Sequence, residues 1–117
     1  MTVTIEQTVA WLQRRRRERD ARAMARAGRI RAQLPAAKAL LQQRYGADRV
    51  VLFGSFARGD VSEHSDVDLA VEGLDEAGWF TAIADLTGLL DTPVDLIEIE
   101  RASESLRARI AHEGTEL

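Results

Sequence analysis

Apolar residues recur at helical spacing through the first third of the chain: Ile5, Val9 and Leu12, then Ala23, Ala27, Ile30 and Leu34, with the period weakening across Arg14–Arg17. Thr4 followed three residues later by Gln7 forms a capping box at the start of this segment. Ala and Arg, which dominate it, are strong helix formers. Pro35 is predicted to kink or restart the helix, and a second helical piece from Ala36 to Tyr45 closes at Gly46. The pattern then changes to short β runs. Arg49–Phe53 ends directly in Gly54-Ser55, Val67–Val71 follows, and Val94–Ile99 comes after the break at Asp91-Thr92-Pro93. Asp75 is predicted to cap a helix running to about Leu90, and Ser103 one ending near Gly114. The order helix, helix, strand, strand, helix, strand, helix predicts an α/β (α+β) fold. It comprises a small mixed β-sheet with packed helices, preceded by a long N-terminal helix. Two parts are expected: an Arg-rich helical extension over residues 1–35 and a globular unit over 36–117.

At 117 residues the chain suffices for one small core. It has no cysteine, which excludes disulfides and thiolate metal sites and fits a reducing, cytoplasmic setting. No apolar run reaches the length of a membrane span, and Met1-Thr2-Val3-Thr4 lacks the charged and apolar regions of a secretory signal. The net charge of −3 hides an asymmetry. Residues 1–33 hold nine arginines against Glu6, Glu18 and Asp20, a net of +6, whereas residues 34–117 carry a net of −9. An acidic body repels phosphates, so a nucleic-acid-binding core is not expected. The Arg14–Arg17 run, interrupted by Glu18 and Asp20, reads as a solvated or partner-docking helix face.

Candidate chemistry is concentrated in residues 54–68. A glycine directly after a buried strand lets backbone approach a ligand closely. Ser55-Phe56-Ala57-Arg58 can begin a short helix whose N–H groups attract phosphate, with the Ser55 hydroxyl and the Arg58 guanidinium as further donors. Asp66 and Asp68 are two apart at a strand start, so alternation puts both carboxylates on one face, about 6.7 Å apart along the chain. Two such carboxylates can share a pair of magnesium ions, which prefer oxygen ligands and complete their shells with phosphates and water. If the Val94–Ile99 strand lies beside Val67–Val71, Asp95 joins that face as a third carboxylate, a metal ligand that helps to deprotonate an attacking hydroxyl.

This stretch resembles the signature of the polymerase-β-like nucleotidyltransferase superfamily, and in particular the minimal nucleotidyltransferase (MNT) family. The matching residues are Gly54-Ser55, Ala57-Arg58-Gly59 and Ser65-Asp66-Val67-Asp68-Leu69, with Asp95 in Pro93-Val94-Asp95-Leu96 as the third carboxylate and Ile110-Ala111-His112-Glu113-Gly114 as the family's usual finish. The resemblance covers about residues 38–117. It implies a polymerase-β-like core, Mg²⁺ (two ions), and a nucleoside triphosphate, commonly ATP. It also implies a helical HEPN-family partner, which MNT antitoxins adenylylate. Metal and catalysis then fall to Asp66, Asp68 and Asp95, and nucleotide binding to Gly54, Ser55 and Arg58. With no acceptor domain visible, the acceptor is expected on a separate protein, and the N-terminal helix is open to homo-oligomer formation or partner docking. Two alternatives stand beside this reading: nucleotidylation of a small molecule held by a partner, and a non-catalytic antitoxin that senses nucleotide or occludes its toxin.

Other features have plainer readings. Arg107 and His112 share the spacing of the HEPN ribonuclease motif, which fifteen arginines make unsurprising. His64 reads as an exposed loop residue. Trp79 and Phe80, on one helix with Ile83, Leu86 and Leu90, read as core or interface. Glu98 and Glu100 need no role.

Overall fold

The computed structural model describes residues 2–117. Its first element, α1 (Ile5–Tyr45), is one helix of 41 residues. The capping box forms: the Gln7 amide donates to Thr4 Oγ1 at 3.1 Å, and the Thr4 amide donates to Gln7 Oε1 at 2.9 Å. Gly46, at φ 73°, ends the helix in the left-handed region that glycine tolerates best. Pro35 neither breaks nor restarts the helix, so the two predicted pieces are one. The reason lies in packing. Ile30, Leu34, Ala37 and Leu41 form a single buried stripe that spans the proline and lies on the same core, and this contact offsets the lost N–H bond.

The remaining elements are β1 (Arg49–Phe53), α2 (Ser55–Arg58), β2 (Val67–Glu72), α3 (Trp79–Leu90), β3 (Val94–Glu98), α4 (Glu104–Glu113) and β4 (Thr115–Glu116). Asp75 precedes a single 3₁₀ turn, Glu76–Gly78, and makes no side-chain cap, so α3 starts only at Trp79. Ser103 does cap α4, accepting from the Leu106 amide at 3.2 Å. The strands lie in the order β3-β2-β1-β4; β1 runs antiparallel to β2 and β4, and β2 runs parallel to β3.

Alternation along the strands divides the core between two faces. Val50, Leu52, Val67, Leu69, Val71 and Leu96 pack with α1 and α3. Val51, Phe53 and Ala70 pack with Ile110 of α4. Covered on both sides, β2 reads as the near-continuous apolar run expected of a buried strand. Asp68 and the exposed terminal Glu72 are its exceptions.

α1 outreaches this body. At about 1.5 Å per residue a helix of this length extends about 60 Å, and the molecule measures 63 × 29 × 20 Å. Residues 2–22 are exposed throughout, and the first buried side chain is Ala23. No described helix is long and apolar enough to cross a membrane.

Candidate active site

The site forms at the end of the sheet where β1 stops and β2 and β3 begin. Gly54 follows β1 with φ 72° and ψ −154°, a combination essentially reserved for glycine. The chain then turns into α2, where the Ala57 and Arg58 amides donate to the Gly54 carbonyl at 3.1 and 3.0 Å, and Gly59, at φ 84°, ends the turn. Ser55 is therefore the first residue of this turn, half-buried beside the strand end.

The loop back to β2 is held by its own serines. Ser65 Oγ accepts from the Ser62 amide at 2.8 Å, and this closed turn delivers Asp66 to the threshold of β2. Asp66 is exposed and Asp68 half-buried. Antiparallel pairing sets Asp68 opposite Phe53, the residue before Gly54, and parallel pairing sets it in register with Asp95. In-register residues of neighbouring strands point to the same face, about 4.8 Å apart. Asp68 and Asp95 thus stand side by side on the face that α4 covers. The predicted neighbourhood of Gly54, Ser55, Asp66, Asp68 and Asp95 is brought together at one strand end.

The electrostatics agree with that crowding. Burial pushes the Asp68 carboxyl above its ordinary range. Asp95 and, more weakly, Asp66 push the same way, and Arg109 and Arg58 pull it down. The aspartate donors fit magnesium in kind, since all are hard carboxylate oxygens. Among the described residues no three acidic or histidine side chains are gathered closely enough to enclose an ion.

Two participants were not singled out from the sequence. Glu113, the last residue of α4, accepts from the Gly54 amide at 3.3 Å, from Arg58 Nη1 at 3.2 Å and from Arg109 Nε at 3.0 Å. The hydrogen bond from Arg109 does most to hold its carboxyl below the ordinary range, and those from Arg58 and the Gly54 amide add to it against the effect of burial. Arg58, expected to meet phosphate directly, is shared between Glu113 and Asp60, the latter at 3.3 Å. The only sequence signal for Glu113 was its place in the Ile110–Gly114 finish; Arg109 had none.

The remaining candidates take structural places. Arg107 donates to the carbonyls of Ile99 and Glu100 at 2.9 and 2.7 Å. His112 and His64 are exposed. Trp79 Nε1 donates to the Leu96 carbonyl at 3.0 Å, and Phe80 beside it is 81% exposed. Glu98 pairs with Arg101 at 3.0 Å, and Glu100 accepts from the Gly73 amide at 3.1 Å.

Comparison with known proteins agrees with this architecture. A family model described as Polymerase beta, Nucleotidyltransferase matches residues 36–117. The protein adenylyltransferase MntA of Shewanella oneidensis is 32% identical over 71 residues, which make up 58% of this chain and 51% of that protein. The chain therefore spans about half the length of this relative. Among solved structures, a chain provisionally described as a minimal nucleotidyltransferase superposes with a TM-score of 0.68 at 33% identity, covering 78% of this chain and 95% of that one. A crystal structure of a toxin–antitoxin with AMP-PNP superposes with a TM-score of 0.62 at 27% identity, covering 69% of each chain.

Proposed function

The chain belongs to the polymerase beta nucleotidyltransferase family, and from that premise we propose that it transfers the nucleotide part of a nucleoside triphosphate, in the first place AMP from ATP, to a hydroxyl of a partner protein, acting as the antitoxin of a HEPN-family toxin. The observation that carries this reading is the position of Asp68, which faces the Gly54 turn on one side and Asp95 on the other. This places the glycine turn beside two carboxylates, which supports a site for transfer from a triphosphate.

In this reading Asp66, Asp68 and Asp95 hold magnesium, which supplies charge stabilisation for the departing pyrophosphate. The Gly54 turn lets backbone come close to the triphosphate while its own amide stays on Glu113, Ser55 offers its hydroxyl, and Arg58 adds positive charge at its edge. Asp95, on the outermost strand and exposed, accepts the proton of the attacking hydroxyl. The attacking oxygen must be held about 3–3.5 Å from the phosphorus and in line with the leaving group. A partner that docks with a Tyr, Ser or Thr side chain already positioned meets that demand.

Surfaces for such a partner are present. Residues 5–22 of α1 are exposed and carry Ile5, Val9 and Leu12 on one stripe. We read residues 1–35 as an extension that docks a partner or a second copy, and residues 36–117 as the catalytic unit. An open groove of about 520 Å³, lined by Trp79, Phe80, Leu96, Ile97 and Leu106 among others, offers a second apolar face. The named relatives support the acceptor class: one is a protein adenylyltransferase and another a toxin–antitoxin with a nucleotide analogue.

The test is mass spectrometry of the co-purified partner after incubation with each nucleoside triphosphate and Mg²⁺. Adenylylation of a partner hydroxyl that is lost with Asp95→Asn supports the proposal. Nucleotide found only on small molecules shifts the assignment to a small-molecule nucleotidyltransferase.

A further inference from the structure

Glu113 is fixed from its backbone outward. It ends α4, and the next residue, Gly114, is packed so tightly that a β-carbon there would lie 2.3 Å from the Ile110 carbonyl oxygen and 2.6 Å from Val51 Cγ1. Immediately afterwards β4 pairs with β1, Thr115 opposite Leu52 and Glu116 opposite Val51. The strand that ends in Gly54 therefore also holds the chain that presents Glu113. The Glu113 side chain is 16% exposed and takes hydrogen bonds from three directions: the Gly54 amide, Arg58 and Arg109.

As a stabilising device this cluster is weak. Arg58 and Arg109 are 42% and 54% exposed, and exposed ion pairs contribute little to folding. The cluster's consequence is orientation rather than stability. A single carboxylate fixes the amide of the turn glycine and sets two guanidinium groups beside it. Arg109 gives only its Nε to Glu113, at 3.0 Å, and its Cζ lies 5.8 Å from the centre of the Phe53 ring. Among the described residues its terminal N–H groups have no acceptor, and they lie next to the residue that pairs with Asp68. Arg58 is shared between Glu113 and Asp60, whereas Arg109 pairs, among the described residues, with Glu113 alone, so Arg109 is the cation of this cluster left to meet the negative charge of an incoming triphosphate.

We propose that Arg109 is a second phosphate-binding cation beside Arg58, and that Glu113 is the positioning residue that holds both arginines and the Gly54 turn in place for the triphosphate. The inference rests on the nucleotidyltransferase reading above. Groups ordered before the ligand arrives lose little freedom on binding, and that is the advantage of a fixed carboxylate here. Glutamine at position 113 keeps the size of the side chain but loses the charge that binds two guanidinium groups together.

The test measures AMP-PNP affinity in Mg²⁺ by calorimetry, and kcat and KM for ATP, in the full chain with its partner. The variants are Glu113→Gln, Arg109→Gln and the double variant, with thermal melts alongside. Each single variant is expected to weaken nucleotide binding about tenfold, the scale of one charge-assisted hydrogen bond. The double variant is expected to fall well short of the product of the two losses, because Glu113 acts through Arg109. Arg109→Gln alters an exposed side chain and keeps the test valid if Glu113→Gln folds poorly. Wild-type affinity in Arg109→Gln, or losses that simply multiply, overturns the proposal while leaving the nucleotidyltransferase reading intact. A wild-type chain that binds no nucleotide overturns both.

Discussion

Gly54 and Asp68 are fitted to one another: a β-carbon on Gly54 would stand 2.0 Å from Asp68 Oδ2. The glycine that begins the turn into α2 is thus also the glycine that makes room for the Asp68 carboxylate. Backbone angle and side-chain clearance demand the same residue at this position, for independent reasons.

Gly54→Ala is accordingly expected to cost about 1–3 kcal/mol in stability through strain at a glycine-only backbone angle, and to displace Asp68 as well. Chemical denaturation and AMP-PNP calorimetry check this. A variant with unchanged midpoint and affinity would show that neither constraint operates.

Asp68→Asn should separate stability from function. The folded-state pKa of Asp68 is raised, chiefly by burial and then by Asp95. Between the unfolded and folded values the folded chain holds more protons, so stability falls as pH rises through that window and stays lower at neutral pH. Without divalent metal, the asparagine variant should melt higher than wild type at neutral pH, and the gap should close as pH falls below the ordinary carboxylate range. Nucleotide transfer should be lost. Melts recorded over that pH range with EDTA, beside a transfer assay, test both halves.

The helical arm divides at Ala23. Removing residues 2–22, all exposed, should leave the melt nearly unchanged and abolish docking to a second copy or partner, readable by light scattering. Cutting as far as residue 33 removes Ile30, which is 3% exposed, together with the Arg31 bond to the Phe56 carbonyl at 3.1 Å, and should destabilise the body. Ile30→Ala alone should cost about 3 kcal/mol. A melt as insensitive to Ile30→Ala as to the arm deletion would contradict this division.

Much of the site could be read directly from the sequence, because its signals are local. Gly54-Ser55 follows an apolar run, Asp66 and Asp68 alternate at the head of another, and Asp95 lies in a third. Only the adjacency of the third strand had to be supposed, and the register of Asp68 with Asp95 supplies it. Glu113 was not legible, since its contact with Gly54 spans 59 positions and depends on how α4 closes over the sheet. The two-residue β4 is too short to show a period. Pro35 misled for the opposite reason: a strong local signal for a break was overridden by the apolar stripe on either side of it.

Pro35 is exposed in the helix interior, so Pro35→Ala should restore a backbone bond without disturbing the core. A gain of about 1–3 kcal/mol is expected, measured by urea denaturation. A loss would mean that the proline favours the observed helix.

Calorimetric titration of AMP-PNP decides whether the Gly54 turn and the aspartates beside it form one metal-dependent nucleotide site. The titration is made with and without Mg²⁺ into wild type, Ser55→Ala, Asp66→Asn and Asp68→Asn. Binding should require Mg²⁺ in wild type, weaken with Ser55→Ala and vanish with either asparagine, while all four proteins stay folded. Mg²⁺-independent binding, or wild-type affinity in both asparagine variants, would contradict the account.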